Sequence, residues 1–142
     1  MQTIKDVVAA VLINDSKILI AQRGQNDPLA GMWEFPGGKV EAGESHEQSL
    51  VREMWEEFGI DVEVDKFFAS SLFPYEKGTI RLLGYYCRWL AGELLPHVHS
   101  DYVWVATSEL DNYTFAPADR PLVEKLCREF PDPGSQEEAP SS

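Results

Sequence analysis

The chain has 142 residues, of which 44% are hydrophobic, and its formal net charge at pH 7 is −12. This length and composition suit one folded domain with a hydrophobic core. The negative charge argues against binding a nucleic-acid backbone, which requires clustered Lys and Arg. No apolar run approaches the ~20 residues that span a bilayer.

The N-terminal residues lack a basic segment followed by an apolar run and a cleavage site, so no signal peptide is expected. The two cysteines, Cys87 and Cys127, are far apart in the sequence. They predict free thiols in a reducing cytoplasm. The acidic chain remains compatible with a free nucleotide, because metal ions bridge carboxylates to phosphate oxygens.

The first third of the chain reads as strands separated by turns. An apolar run at residues 7–13 predicts a buried strand, and a turn leads to a second strand at 17–22. A loop is expected at 24–32 and a short extended segment at 33–35. Pro36-Gly37-Gly38 is expected to break that segment.

A helix is predicted next. Ser45 and Gln48 form the pattern of a capping box at its start, and Gly59 is typical of its end. The glutamates are expected to face away from the core, because an apolar stripe occupies the other side of the helix. That stripe consists of Leu50, Val51, Met54 and Phe58.

Further strands are expected at about 62–74, 79–90 and 102–106, followed by a closing helix at about 120–130. This order predicts an α+β fold of the α/β/α sandwich type, with a mixed β-sheet between helices. One domain should cover residues 1–130. Residues 131–142, rich in Pro, Ser and Glu, are expected to form a disordered tail.

The most informative segment is residues 38–60, which is rich in glutamates. Glu53, Glu56 and Glu57 stand at i, i+3 and i+4, so they share one face of a helix and repel one another. A divalent cation would offset this repulsion, and Mg²⁺ prefers carboxylate oxygens. The alternative is a solvated acidic helix face.

The same segment resembles the signature of the Nudix hydrolases. That signature reads Gly, five residues, Glu, seven residues, Arg-Glu, an aliphatic residue, any residue, Glu-Glu, any residue, Gly and an aliphatic residue. The fixed positions are matched by Gly38, Glu44, Arg52, Glu53, Glu56, Glu57 and Gly59. The resemblance implies the Nudix fold, a loop–helix–loop catalytic motif, and Mg²⁺-dependent hydrolysis of phosphoanhydride bonds, with Mn²⁺ as a substitute metal.

The resemblance also implies roles for these residues. Glu53, Glu56 and Glu57 would bind the metal, together with the backbone carbonyl of Gly38. Glu53 is the first candidate for polarising or deprotonating the attacking water, a role that the sequence does not separate from metal ligation. Arg52 is expected to orient a helix carboxylate such as Glu56, and its alternative is a surface ion pair.

The loop before the helix adds phosphate-binding candidates. Gly37 and Gly38 allow close approach of a phosphate, and Lys39 can neutralise its charge. Alone, this segment would be a turn with a solvated lysine. Glu44 is expected to hold the loop or a metal-bound water, and the alternative is a glutamate favoured by the helix dipole.

The flanking segments resemble the MutT-like branch, which hydrolyses nucleoside triphosphates to the monophosphate and pyrophosphate. The matching segments are GMWEFPGGKVEAGE and residues 115–122. The position of Asp119 holds Asn in members specific for oxidised guanine and Asp in the CTP pyrophosphohydrolases.

An ionised Asp119 would only accept hydrogen bonds, which suits the N4 amine of cytosine and repels O6 of guanine. Oxidised guanine stays open, because 8-oxo-guanine has N–H donors, especially for a protonated Asp119. Asp119 is also placed to cap the last helix, two residues before Pro121. Both roles remain open.

Further nucleotide-binding candidates are Arg23 and Glu34, with Phe35, Phe73 and Tyr75 as candidates for stacking on the base. Arg23 matches a family arginine that touches the nucleotide, and its alternative is a surface residue at a strand end. For the aromatic residues the alternative is the hydrophobic core.

One departure from the MutT-like pattern lies at His97-Val98-His99, where Val98 replaces a late glutamate that joins the metal site. Substitution by Asp101 or Glu93, a site with fewer protein ligands, or reduced activity would each account for it. A zinc site at His97 and His99 would lack a third ligand.

The resemblance therefore predicts a nucleoside triphosphate pyrophosphohydrolase with a tilt to cytosine nucleotides. An 8-oxo-dGTP diphosphatase and a catalytically weak nucleotide-binding module are the alternatives. The expected partner is a small-molecule nucleotide, with no nucleic-acid polymer and no membrane. A cytoplasmic monomer or homodimer is expected.

Overall fold

A computed structural model describes residues 3–75, 78–94 and 101–129. The predicted tail at 131–142 and the segment His97-Val98-His99 lie outside the described residues. In chain order the elements are β1 (Ile4–Asn14), β2 (Lys17–Gln22), β3 (Trp33–Glu34), β4 (Gly37–Lys39), α1 (His46–Phe58), β5 (Ile60–Tyr75), β6 (Gly78–Gly92), β7 (Asp101–Val105), the 3₁₀ helices Thr107–Asn112 and Pro117–Asp119, and α2 (Arg120–Glu129).

The strands form the mixed sheet that the sequence predicted. β1 runs parallel to β6, from the pair Ile4 and Thr79 to the pair Leu12 and Cys87. It is antiparallel to β2 and β4, while β5 pairs with β6, and β3 and β7 pair with β2. β1 is therefore the central strand, which explains its continuous apolar run.

Alternate residues of β1 feed two hydrophobic cores on opposite faces of the sheet, as the period of two in a strand requires. Val8 and Leu12 pack with α1, whereas Ala9 and Val11 pack with α2. Two helices covering two faces confirm the sandwich arrangement.

α1 begins and ends as predicted. The Ser45 hydroxyl accepts a hydrogen bond from the Gln48 N–H at 3.0 Å, and the Gln48 side chain accepts from the Ser45 N–H at 2.9 Å. Gly59 ends the helix in the left-handed conformation, with φ of 74°. The capping box thus satisfies two of the amides that a helix start leaves without partners.

The predicted orientation of α1 was wrong in two respects. Val51 is 38% exposed, so it lies outside the buried stripe. The glutamates do not all face away from the core, because Glu53 and Glu57 are half-buried. At 3.6 residues per turn Glu57 falls almost in line with Leu50, whereas Val51 falls at the edge of the stripe.

The short extended segment ends before Pro36, as predicted, but the glycines that follow form a further strand that was not predicted. β4 pairs with Val7, Val8 and Ala9 of β1, and the Ala10 N–H donates to the Pro36 carbonyl at 2.7 Å. A Cβ at Gly37 would lie 1.9 Å from the Val8 carbonyl oxygen. Glycine therefore permits a backbone approach that a side chain would prevent.

Within the described part of the chain, neither helix combines the length and the apolar character needed to cross a membrane. The two cysteine thiols are free. Cys87 is buried, and Cys127 is only partly buried.

Candidate active site

A cavity of about 300 Å³ opens beside β1. Nine of the residues predicted from the sequence line its walls: Arg23, Glu34, Phe35, Gly37, Gly38, Lys39, Glu57, Tyr75 and Asp119. Glu44, Arg52, Glu53 and Glu56 form a charged network on α1 and the loop before it. The fold thus brings together residues that are up to 96 positions apart, between Arg23 and Asp119.

Phe73 is the exception among the predicted base-binding residues, because it does not appear among the described walls of the cavity. It packs against the core on the α2 side and meets Tyr75 edge-on, with ring centroids 4.9 Å apart. Phe73 therefore packs beside Tyr75 against the core, which agrees with the alternative that Phe73 is a core residue.

Arg52 holds the loop before α1 through several hydrogen bonds. It donates to both carboxylate oxygens of Glu44, at 2.6 and 3.0 Å, and to the Lys39 carbonyl at 3.2 Å. It also donates to Glu53 and Glu56, each at 3.1 Å. The predicted pairing with Glu56 is present, but the bidentate bond to Glu44 ties the loop more firmly.

Glu44 completes this loop connection. Its carboxylate accepts a hydrogen bond from the Glu41 N–H at 3.0 Å. The Arg52 guanidinium is the main reason that the pKa of Glu44 is lowered to about 2, and the Glu41 amide adds to the shift. Glu44 precedes the helical residues of α1, so its geometry fits the predicted loop-holding role better than the helix-dipole alternative.

Gly38 makes room for the Glu53 carboxylate. A Cβ at this position would lie 2.3 Å from the Glu53 carboxyl carbon and 2.5 and 2.6 Å from its two oxygens. The glutamate therefore sits directly against the backbone of β4. This contact places an acidic group beside the glycines that are expected to admit phosphate.

Glu57 joins the α1 network to the cavity. Burial is the first cause that raises its pKa, to about 9, and the hydrogen bond and charge of Glu53 add to it, followed by Glu34 and Glu56. Carboxylates forced together in this way retain a proton at neutral pH. A divalent cation would remove the same repulsion.

These residues fit a divalent metal ion by their chemistry. Among the described residues, no three His, Cys, Asp or Glu side chains are already gathered as a set of metal ligands. Glu53 and Glu57 nevertheless offer hard carboxylate oxygens in a crowded acidic position, which is the donor type of Mg²⁺ and Mn²⁺ sites. Because Gly38 has no side chain, the Glu53 carboxylate has room to lie next to β4.

Asp119 lines the cavity together with Phe35, Ala116 and Ala118 and is 5% exposed. One of its carboxylate oxygens accepts a hydrogen bond from the Phe35 N–H at 3.0 Å. Burial raises the pKa of Asp119 to about 8, the charge of Glu34 adds to the rise, and the Phe35 amide and Arg23 oppose it. The bond to Phe35 rather than to α2 favours the pocket role over the capping role.

Arg23 also lines the cavity, and its guanidinium is held in a fixed plane by hydrogen bonds. It donates two hydrogen bonds to Asp27, at 2.9 and 2.8 Å, and one to Glu34. Asp27 also lines the cavity, and the sequence interpretation missed it. Its spacing of four residues from Arg23 was the available signal, but that signal is specific only in a helix, and these residues lie in a loop.

A second missed group anchors the start of α1 to the sheet. The two ring nitrogens of His46 lie 3.0 Å from the Tyr85 hydroxyl and 3.2 Å from an Asp6 carboxylate oxygen. Arg81 donates two hydrogen bonds to the same Asp6 carboxylate. No pattern in the sequence links these residues, because the register of β1 with β6 and the packing of α1 on the sheet bring them together.

The comparisons with known proteins agree with this fold and site. The NUDIX domain family profile matches residues 3–126, and the chain therefore belongs to the Nudix hydrolase family. Members of this family generally use divalent metal ions.

The matches to two curated relatives span most of the length of each relative. A CTP pyrophosphohydrolase from Escherichia coli strain K12 is 44% identical over 119 residues, which is 84% of this chain and 88% of that protein. An 8-oxo-dGTP diphosphatase from Haemophilus influenzae is 34% identical over 124 residues, covering 87% and 91%. The solution structure of the E. coli ORF135 protein has a TM-score of 0.78 and 37% identity, covering 99% of this chain and 96% of that one.

Proposed function

We propose that this protein is a Mg²⁺-dependent nucleoside triphosphate pyrophosphohydrolase with a preference for cytosine nucleotides, namely CTP, dCTP and modified forms. One water molecule is consumed and one P–O–P bond is broken, which yields the nucleoside monophosphate and pyrophosphate. The observation that carries the proposal is that one cavity is lined both by the buried carboxyl of Asp119 and by Gly37, Gly38, Lys39 and Glu57.

The α1 end of the cavity suits the phosphates. Glu53, Glu56, Glu57 and the Gly38 carbonyl would hold Mg²⁺, which supplies Lewis-acid stabilisation and a more acidic water when bound. Lys39 lines the cavity and neutralises phosphate charge. Glu53 receives a proton from the attacking water or holds that water in place, while Arg52 fixes the orientation of the carboxylate.

The Asp119 end suits a base with adjacent donor and acceptor groups. With a pKa of about 8, this carboxyl is mostly neutral at pH 7. Asp119 would therefore meet the base as a neutral carboxyl rather than as the ionised acceptor expected from the sequence, and a neutral carboxyl both donates and accepts hydrogen bonds. Such a group can donate to N3 of cytosine while it accepts from the N4 amine.

The second candidate function is 8-oxo-dGTP hydrolysis. It is supported by the same raised pKa of Asp119, since a neutral carboxyl no longer repels O6 of guanine. A relative of 34% identity also carries that name. Cytosine is preferred here because the more similar relative is named a CTP pyrophosphohydrolase.

The test is a panel of kcat/KM values with Mg²⁺ and identified products. The panel contains CTP, dCTP, 5-methyl-dCTP, dGTP, 8-oxo-dGTP, ADP-ribose and a dinucleoside polyphosphate. Highest values for cytosine nucleotides, with monophosphate and pyrophosphate as products, are expected. Preference for 8-oxo-dGTP would select the second candidate, and nucleotide binding without product release would favour the binding module.

A further inference from the structure

A second, smaller cavity of about 180 Å³ adjoins the nucleotide-sized cavity. The two share three wall residues, Lys39, Tyr75 and Ile80, so they lie side by side, and the pair is called the cleft below. Lys5 of β1 lines the smaller cavity only. The cleft therefore extends past Lys39 into a space that the residues of the family signature do not line.

Strand register places Lys5 and Lys39 on the same face. Val7 of β1 is opposite Lys39 of β4, and the pairing continues through the Val40 N–H, which donates to the Asp6 carbonyl at 3.2 Å. Lys5 lies two residues before Val7, so its side chain points to the same side. Lys5 and Lys39 are thus diagonal neighbours, roughly 7–8 Å apart, within reach of one ligand for long side chains.

The charge of this space is opposite to that of the molecule. The chain carries 24 acidic against 12 basic residues, but the described walls of the smaller cavity hold two lysines and no carboxylate. Thr3 and Thr79 add hydroxyl groups that can donate hydrogen bonds. The rest of the lining is largely apolar, so the two ammonium groups are the features that would recognise a ligand here, and an anion with several oxygens complements them.

We propose that Lys5 and Lys39 form a subsite for the pyrophosphoryl end of the substrate, which rests on the proposed function. Lys39 lines both cavities, with Gly38 and Glu57 in the walls of the larger one and Lys5 in the walls of the smaller one. Phosphates that extend from the metal site past Lys39 would reach the Lys5 ammonium, which would stabilise their negative charge.

The proposal separates the two products, because only pyrophosphate would touch Lys5. The variants are Lys5→Gln and Lys5→Arg, with Lys17→Gln as the matched control. Lys17 is an exposed lysine at the start of β2, outside both cavities. Each protein is titrated calorimetrically with inorganic pyrophosphate, CMP and inorganic phosphate in the presence of Mg²⁺.

We expect Lys5→Gln to weaken pyrophosphate binding by about five- to tenfold, the scale of one exposed charged hydrogen bond. CMP binding should stay within about twofold of the wild-type value. Lys5→Arg should retain most of the pyrophosphate affinity, since the positive charge is kept. Lys17→Gln should leave all three ligands unchanged.

Three results would overturn the subsite. They are a pyrophosphate affinity that is the same in Lys5→Gln and the wild type, an equal loss of CMP affinity in Lys5→Gln, or an equal loss of pyrophosphate affinity in Lys17→Gln. Phosphate binding as tight as pyrophosphate binding, with the same dependence on Lys5, would overturn the assignment to a two-phosphate group. Because the titration needs no turnover, inactivity towards CTP would reject the proposed function while leaving the Lys5 result to be judged separately.

Discussion

The two ends of the cleft use the same functional group under opposite conditions. In the charged network beside the α1 end, Glu44 is paired with Arg52, and its pKa falls to about 2. At the other end, Asp119 is buried, and its pKa rises to about 8. A charged partner keeps the first carboxyl ionised, whereas burial keeps the second neutral. One end is thereby suited to cations and phosphates, and the other to the hydrogen-bonding edge of a base.

The first way to test this contrast is to remove the acid–base group at the α1 end. Glu53→Gln should retain the fold and lower kcat by at least about 10²-fold, the scale of a lost acid–base group. The measurement is steady-state turnover of the best substrate, together with the melting temperature. Glu47→Gln is the matched control, because Glu47 is an exposed glutamate in the first turn of the same helix. A kcat near the wild-type value would show that Glu53 has another role.

The second test concerns the arginine that holds the loop. Arg52→Lys keeps the charge but cannot make the bidentate bond to Glu44 together with the bonds to Glu53 and Glu56. We expect the Mg²⁺ concentration for half-maximal activity to rise about 10- to 100-fold, as for other residues that orient metal ligands.

Arg88→Lys provides the control for Arg52→Lys, since Arg88 on β6 forms an exposed ion pair with Glu63 on β5, a type that contributes little. An unchanged Mg²⁺ requirement in Arg52→Lys would show that the loop does not need the bidentate bond.

The contrast also explains what the sequence could predict. The α1 end lies within residues 38–57, so its spacing, helix face and capping box are readable from local pattern. The strands on either side follow from apolar periodicity. The half-burial of Glu57 was missed because a view of α1 as a simple amphipathic helix assigns every glutamate to solvent, although its angle on the helix places it beside Leu50.

The base end could be predicted only in part. Asp119 was identified through the family resemblance, but its bond to the Phe35 N–H spans 84 residues, and its burial depends on tertiary packing. Asp27 and His46 act through partners that strand register and loop geometry bring near. Lys5 likewise gains its place from β1 pairing with β4 and β6, which no local pattern encodes.

The third test is at the base end. Asp119→Asn replaces a carboxyl that can donate or accept by an amide that keeps both groups but cannot ionise. Because the amide can also donate to N3 of cytosine and accept from its N4 amine, the ratio of kcat/KM for dCTP to that for 8-oxo-dGTP should stay within about twofold of the wild-type value at pH 7. A fall of about tenfold would show that Asp119 reads the base as an ionised carboxylate, which the amide cannot imitate.

The last test concerns stability, whose dependence on pH has opposite signs at the two ends. The ionised form of Asp119 is disfavoured by folding, so this residue stabilises the protein least above its folded pKa of about 8 and most below its ordinary value of 3.8. Between these values its contribution falls as pH rises, by at most about 1.4 kcal/mol per pH unit. Glu44 behaves in the reverse manner, since its contribution is present above its ordinary value of 4.5 and is lost as pH falls towards about 2.

Urea unfolding of the wild type, Asp119→Asn and Glu44→Gln at several pH values measures this contrast. From pH 5 to 8, the free energy of unfolding of the wild type should decline relative to that of Asp119→Asn. From pH 5 to 3, it should decline relative to that of Glu44→Gln, because the unfolded wild-type chain binds a proton at Glu44 while the folded protein keeps this carboxyl ionised beside Arg52. Parallel curves for the wild type and Asp119→Asn would mean that this carboxyl ionises normally in the folded protein. The neutral-carboxyl account of base recognition would then be wrong, while the ion-pair account of the α1 end would stand or fall on the Glu44→Gln curve alone.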